Sequence, residues 1–117
     1  MELIERYIAT WNETDANARR KLIDETWTDT ATYVDPLVVA EGKDVIDEVI
    51  AGAQQQFAGL TFRLGGPVDA HHNVARFTWE LAPEGGEAIV VGFDVAVLSE
   101  DGRLEAVHGF LDRVPAA

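Results

Sequence analysis

Three residues in this sequence have types and surroundings that could do chemistry. Asp35 stands in the stretch TATYVDPL, directly before Pro36, and the residue before a proline is pushed toward extended backbone, which limits where its side chain can point. That is a stiff mount for a carboxylate acting as a base, and it is equally the start of an ordinary Asp-Pro turn. Asp94 lies in AIVVGFDVAVL among Val90, Val91, Phe93, Val95 and Val97. An ionised and unpaired acid among such neighbours is costly, so its proton affinity is expected to be raised; the plainer alternative is a partly solvated acid near a sheet edge or a dimer rim. Tyr7 falls on an apolar helical stripe, where a tyrosine is either a core residue or a hydroxyl reaching a partner.

Other candidates carry less. His71 and His72 are adjacent, so on a strand they point to opposite faces and in a turn they are solvated; no HExxH pattern or second carboxylate-histidine pair accompanies them, and no metal site is expected. Ser99, the only serine, lies in no GxSxG context. His108 and Asp112 fall on the last strand, where pairing parity decides their face. An odd pairing sum across the preceding EDG turn puts Val107, Gly109 and Leu111 with Asp94 and leaves His108 and Asp112 opposite, while a one-residue bulge at Gly102 reverses this.

The elements that must position these residues can be read from periodicity. Leu3, Ile4, Tyr7, Ile8 and Trp11 repeat at the spacing of one helix face, predicting a helix over Glu2 to Glu13. Thr14 and Asp15 supply stop and N-cap chemistry for a second helix, ANARRKLIDETW, burying Ala18, Leu22, Ile23 and, at its end, Trp27. TATYV is a short strand and PLVVAEG a loop with an extended segment. Val45, Ile46, Val49, Ile50, Ala53 and Phe57 mark a third helix. After Leu60 the period becomes two, and LTFRLGGPVDA, NVARFTWELA, EAIVVGFDVAVLS and RLEAVHGFLDRV read as four strands separated by HH, PEGG and EDG. Helices first and strands afterwards predict an α+β fold, with three N-terminal helices on one face of an antiparallel sheet.

The bulk properties narrow the function. The 117 residues suit one domain with a real core, taken as residues 1–117. A net charge of −12 disfavours nucleic acid and anionic membrane surfaces as partners. The longest apolar run is too short to span a bilayer and carries Asp94 in its middle, and the N-terminus lacks a secretory pattern, so a cytoplasmic location is expected. The absence of cysteine excludes disulfides, thiolate metal sites and cysteine nucleophiles.

The order of these elements resembles the nuclear transport factor 2-like superfamily, which includes ketosteroid isomerases, SnoaL-like polyketide cyclases, limonene epoxide hydrolases and scytalone dehydratases. The resemblance covers nearly the whole chain and is clearest to the ketosteroid isomerases, in RYIATWNETD, ATYVDP and VVGFDVAVLSEDGR. It implies a cone-shaped curved sheet with the helices on its concave face. It further implies Asp35 as general base, with Tyr7 and a neutral Asp94 as oxyanion donors. Trp11, Phe57, Phe77, Trp79, Val107, Gly109 and Leu111 would line a pocket for a small apolar or aromatic carbonyl compound, with proton transfer beside the carbonyl and no cofactor. A non-catalytic ligand-binding domain of the same fold is the alternative. Two departures stand out: Ile50 replaces a supporting tyrosine, and Gly92 replaces the arginine of the epoxide-hydrolase pattern. SnoaL-like cyclases place His and Asp on later strands, which keeps His108 and Asp112 in play.

One strand is apolar on both faces. Three helices cover one side only, so Val91, Phe93, Val95 and Val97 predict an isologous homodimer through the outer sheet face. Light scattering at micromolar concentration should return the mass of a dimer, and a clean monomer mass would remove this expectation.

Overall fold

A computed structural model describes residues 1–115. Two helices, α1 (Glu2–Asn12) and α2 (Ala16–Thr26), form an N-terminal hairpin. The α1 stripe buries Leu3, Ile4, Tyr7 and Trp11 as the periodicity requires, and Asp15 caps α2 by accepting the amide of Ala18 at 2.8 Å. The second helix stops one residue earlier than the apolar pattern suggested. Trp27 opens the strand β1 (Trp27–Val34) instead, because WTDTATYV is dense in aromatic and β-branched residues that favour extended backbone.

A short strand β2 (Val39–Glu41) folds back on β1, and Gly42, with φ of 84°, turns the chain into α3 (Lys43–Gln56). The remaining strands are β3 (Leu60–Leu64), β4 (Asp69–His71), β5 (Val74–Pro83), β6 (Val90–Leu98) and β7 (Leu104–Arg113). The segment LTFRLGGPVDA yields two strands rather than one. Both β3 and β4 pair with β5, and the Gly65-Gly66-Pro67 run between them cannot keep a continuous ladder.

The sheet order is β2-β1-β7-β6-β5-β3, with β4 also on β5. All pairings are antiparallel except β1 with β7, which is parallel. A parallel pair needs a long crossover, here the chain from 35 to 103, and a strand-by-strand reading of periodicity does not reveal it. The three helices pack on one face of this open α+β sheet, α2 and α3 against β1 and α1 against β3.

Register then decides which side chains face the helices. Asp94 lies opposite Gly109 on β7 and Phe77 on β5, and Gly92 lies opposite Leu111 and Trp79. The odd pairing sum holds through the middle of the β6–β7 hairpin, so Asp94 shares the covered face with Val107, Gly109 and Leu111. His108 and Asp112 are exposed on the other face, where Val91, Phe93, Val95 and Val97 are half-buried. His71 ends β4 and His72 follows with φ of 50°, both exposed.

Packing also recruits a charge. Arg19 of α2 is only 7% exposed. It donates from Nε to Asp47 at 2.7 Å and from Nη1 to Gln54 at 3.0 Å, both on α3. Gln54 in turn donates to the carbonyls of Trp11 and Glu13 at 3.1 and 2.7 Å, satisfying the open end of α1. This clamp fixes the three helices to one another. Arg19→Ala should destabilise the protein by about 2–3 kcal/mol, since it strands Asp47 and unties Gln54; urea unfolding checks this, and a loss below about 0.5 kcal/mol would contradict it.

Candidate active site

Between α1, α3 and the covered face of the sheet lies a half-open cavity of about 840 Å³. Its wall is mostly aromatic and aliphatic: Tyr7 and Trp11 from α1, Val49, Ala53 and Phe57 from α3 and its end, and Trp79, Gly109 and Leu111 from the sheet. Asp35 and Asp94 reach the same cavity. All three chemical candidates therefore meet in one space, each brought by a different element.

Tyr7 is 2% exposed, and its hydroxyl donates to Oδ2 of Asp94 at 2.8 Å. Oδ1 of Asp94 accepts the indole N–H of Trp79 at 3.1 Å. Burial raises the pKa of Asp94 to about 6, with the charge of Asp35 adding to the rise and the Tyr7 and Trp79 donors opposing it. Tyr7 is raised well above the ordinary phenol value, first by burial and then by the charge of Asp94.

Asp35 proves to be both a turn residue and a pocket residue. Its Oδ1 accepts the amides of Leu37 and Val38 at 2.8 and 3.0 Å, while its own N–H donates to the carbonyl of Val38 at 3.0 Å. Its Oδ2 accepts the hydroxyl of Tyr33 at 2.8 Å. Tyr33 is raised far above the ordinary phenol value by burial, then by the charges of Asp94 and Asp35. All the partners of the Asp35 carboxylate are donors, the complement it needs.

Gly109 lies between the two acids. A Cβ added there would stand 2.9 Å from Asp94 Oδ1 and 3.3 Å from the Cβ of Asp35. Only a residue without a side chain leaves this gap open.

Of the lining residues expected from the sequence, Trp11, Phe57, Trp79, Gly109 and Leu111 line the cavity. Phe77 and Val107 do not: both are on the covered face but lie one layer behind the wall, 2% and 0% exposed. Phe77 is sealed off by Tyr7, whose ring packs edge-on to it with centroids 5.7 Å apart. Ile50 is fully buried, and the second phenol comes from Tyr33 on β1, where it serves Asp35 rather than Tyr7. His108 and Asp112 stand away from the cavity. Among the described residues no group of three metal-ligating side chains comes together.

Two contacts of the candidate acids lie beyond the sequence expectations. Tyr33 is two residues before Asp35, hence on the same side of an extended chain, which is a usable signal. For Trp79 the signal is Gly92, a glycine in a strand interior that marks close approach by a neighbour.

A family model for the SnoaL-like domain matches residues 4–107. The chain belongs to the SnoaL-like family. A solved structure from Agrobacterium tumefaciens, described as a "putative isomerase of the SnoaL-like family", is 40% identical, with a TM-score of 0.90 and 95% of each chain covered. Two more distant neighbours share the fold. A "putative SnoaL-like polyketide cyclase" from Jannaschia sp. is 16% identical over 94% of this chain and 85% of that one, with a TM-score of 0.72. A "putative polyketide cyclase" from Sinorhizobium meliloti is 14% identical over 93% and 94%, with a TM-score of 0.70. No curated protein matches. Among the described residues no helix is long and apolar enough to cross a membrane.

The burial of Asp94 in this SnoaL-like domain has a measurable cost. Its pKa rises on folding from 3.8 to about 6, so the folded state holds the proton more tightly than the unfolded chain. The neutral form is the one the fold favours, and stability falls as pH rises from about 4 to 6. The loss amounts to about 3 kcal/mol by pH 7. Asp94→Asn should therefore be more stable than the parent at pH 7 and no more stable at pH 4. Paired urea titrations at the two pH values check this, and a difference that does not depend on pH would contradict it.

Proposed function

We propose that the cavity binds a small, uncharged, apolar or aromatic carbonyl compound and catalyses proton transfer beside the carbonyl, in the manner of an isomerase or cyclase. The observation that carries this reading is the placing of Asp35 and the Tyr7–Asp94 pair on either side of Gly109, in one apolar space. A ketone over Gly109 would present its α-carbon to Asp35 and its oxygen to Tyr7.

Asp35 then takes a proton from the α-carbon, the C–H electron pair becomes the new C=C bond, and the carbonyl oxygen gains the negative charge. Tyr7, backed by neutral Asp94, donates to that oxygen. Asp35 returns the proton to another carbon and the carbonyl re-forms, so atoms and charge balance without a cofactor. The bond from Tyr33 leaves a lone pair of Oδ2 for this work.

Electrostatics supports an uncharged ligand. The wall carries Asp35, Asp94 and, at the mouth, Glu48, with no Lys, Arg or His among its described residues. A carboxylate or phosphate would be repelled. A carbonyl oxygen can instead meet the hydroxyl of Tyr7, which lines the same space.

A non-catalytic ligand-binding domain remains the competing reading, favoured by the full set of turn and Tyr33 bonds that Asp35 already makes. Exchange of α-protons with solvent separates the two. With 2-tetralone in D2O, NMR should show accelerated α-deuteration, slowed about 100-fold or more in Asp35→Asn with binding kept. No acceleration, or an unchanged rate in the variant, would leave only the binding reading. A carboxylate analogue of the ketone should bind at least about tenfold more weakly than the ketone itself, and equal binding would overturn the charge argument.

A further inference from the structure

Both oxygens of Asp94 are held, and the two donors are not equivalent. The Tyr7 hydroxyl rotates and its oxygen can also accept, whereas the Trp79 indole N–H can only donate. The indole is moreover fixed in place. It lies across Gly92, its partner on β6, so closely that a Cβ there would stand 2.0 Å from Cζ2 and 2.7 Å from Nε1. Phe62 packs against it, with ring centroids 5.5 Å apart.

We propose that Trp79, seated on Gly92, is a positioning residue that directs the proton of Asp94 to Oδ2, so that Asp94 and Tyr7 act in series and the Tyr7 hydroxyl meets the ligand's oxygen. A protonated carboxyl has one good acceptor, its carbonyl oxygen, and one poorer acceptor, its hydroxyl oxygen. Facing a donor that cannot turn away, Oδ1 stays the carbonyl oxygen. The proton goes to Oδ2, where the Tyr7 oxygen turns from donating to accepting, and the phenolic hydrogen is freed to point into the cavity. The groups that face Asp94 from the surrounding elements are Tyr7 on α1, Tyr33 on β1, Asp35 just after it and Trp79 on β5; Gly109 on β7 contributes no side chain. None of them is a cation that could hold Asp94 ionised.

This order has a chemical corollary. An asparagine at 94 would set its amide oxygen toward Trp79 and its amide nitrogen toward Tyr7, copying neutral Asp94 at every pH. Only the last link, from Tyr7 to the ligand, rests on the proton-transfer reading; the link between indole and carboxyl can be tested without any reaction.

The first measurement is a carboxyl NMR titration of Asp94 in the parent, in Trp79→Phe and in Gly92→Ala, which displaces the indole while keeping it. The parent midpoint should lie near 6 and rise by about one pH unit in both variants, because the charged form loses a donor. Midpoints unmoved in both would overturn the role of Trp79. The second is binding of 2-tetralone, an acceptor-only ligand, between about pH 5 and 8. Parent affinity should fall as pH rises through the Asp94 midpoint, while Asp94→Asn stays flat at the low-pH value. A tenfold loss in Asp94→Asn at the lowest pH would overturn the series arrangement. Should the parent fail to exchange α-protons, the proton-transfer reading falls and the titration result still stands.

Discussion

The hydrogen bond from Tyr7 to Asp94 is the interaction on which this molecule turns. It joins the first helix to the sixth strand across 87 residues of sequence, and it does so between two side chains that are each only 2% exposed. Taking a carboxylate out of water costs several kcal/mol. Here that cost is met partly by two donors and partly by a shift toward the neutral form. A neutral acid beside a phenol in an apolar wall is a hydrogen-bond donor waiting for an acceptor. The destabilisation of the ionised state and the capacity of the site come from one cause.

The helix layer and the sheet divide the remaining work. Arg19 and Gln54 lock the three helices together at the ends of α1 and α3, which fixes the height of Tyr7 and Trp11 above the sheet. The sheet supplies two glycines where side chains would close the site: Gly92 receives the indole of Trp79, and Gly109 separates the two acids. In both places a glycine's usual weakness in a strand is accepted because another group must come near. Asp35 is held by the turn that follows β1 rather than by the core, so its direction depends on local bonds to Leu37, Val38 and Tyr33.

Much of this was legible in the sequence, for physical reasons that can be named. The 3.6-residue stripe of α1 already aimed Tyr7 inward, and one of the two parities open to the last hairpin, the one the structure adopts through its middle, puts Gly109 and Leu111 beside Asp94. What local patterns cannot carry is depth and distant pairing. Phe77 has the right face but lies under Tyr7, which only the packed helix reveals. Arg19 looks like a surface charge until Asp47 and Gln54, about thirty residues on, are found to surround it. The parallel pairing of β1 with β7 leaves no mark in either strand. Asp35 posed a choice between turn and site, and its two oxygens divide the roles: Oδ1 closes the turn and Oδ2 joins Tyr33.

In the proposed reaction one ligand, lying over Gly109, touches the surroundings of both acids at once. A crystal structure with an acceptor-only ketone bound tests it most directly. The carbonyl oxygen should lie about 3 Å from the Tyr7 hydroxyl, with the α-carbon turned toward Asp35. A ketone bound the other way round, its oxygen at the mouth near Glu48 and its ring against Asp94, would contradict it.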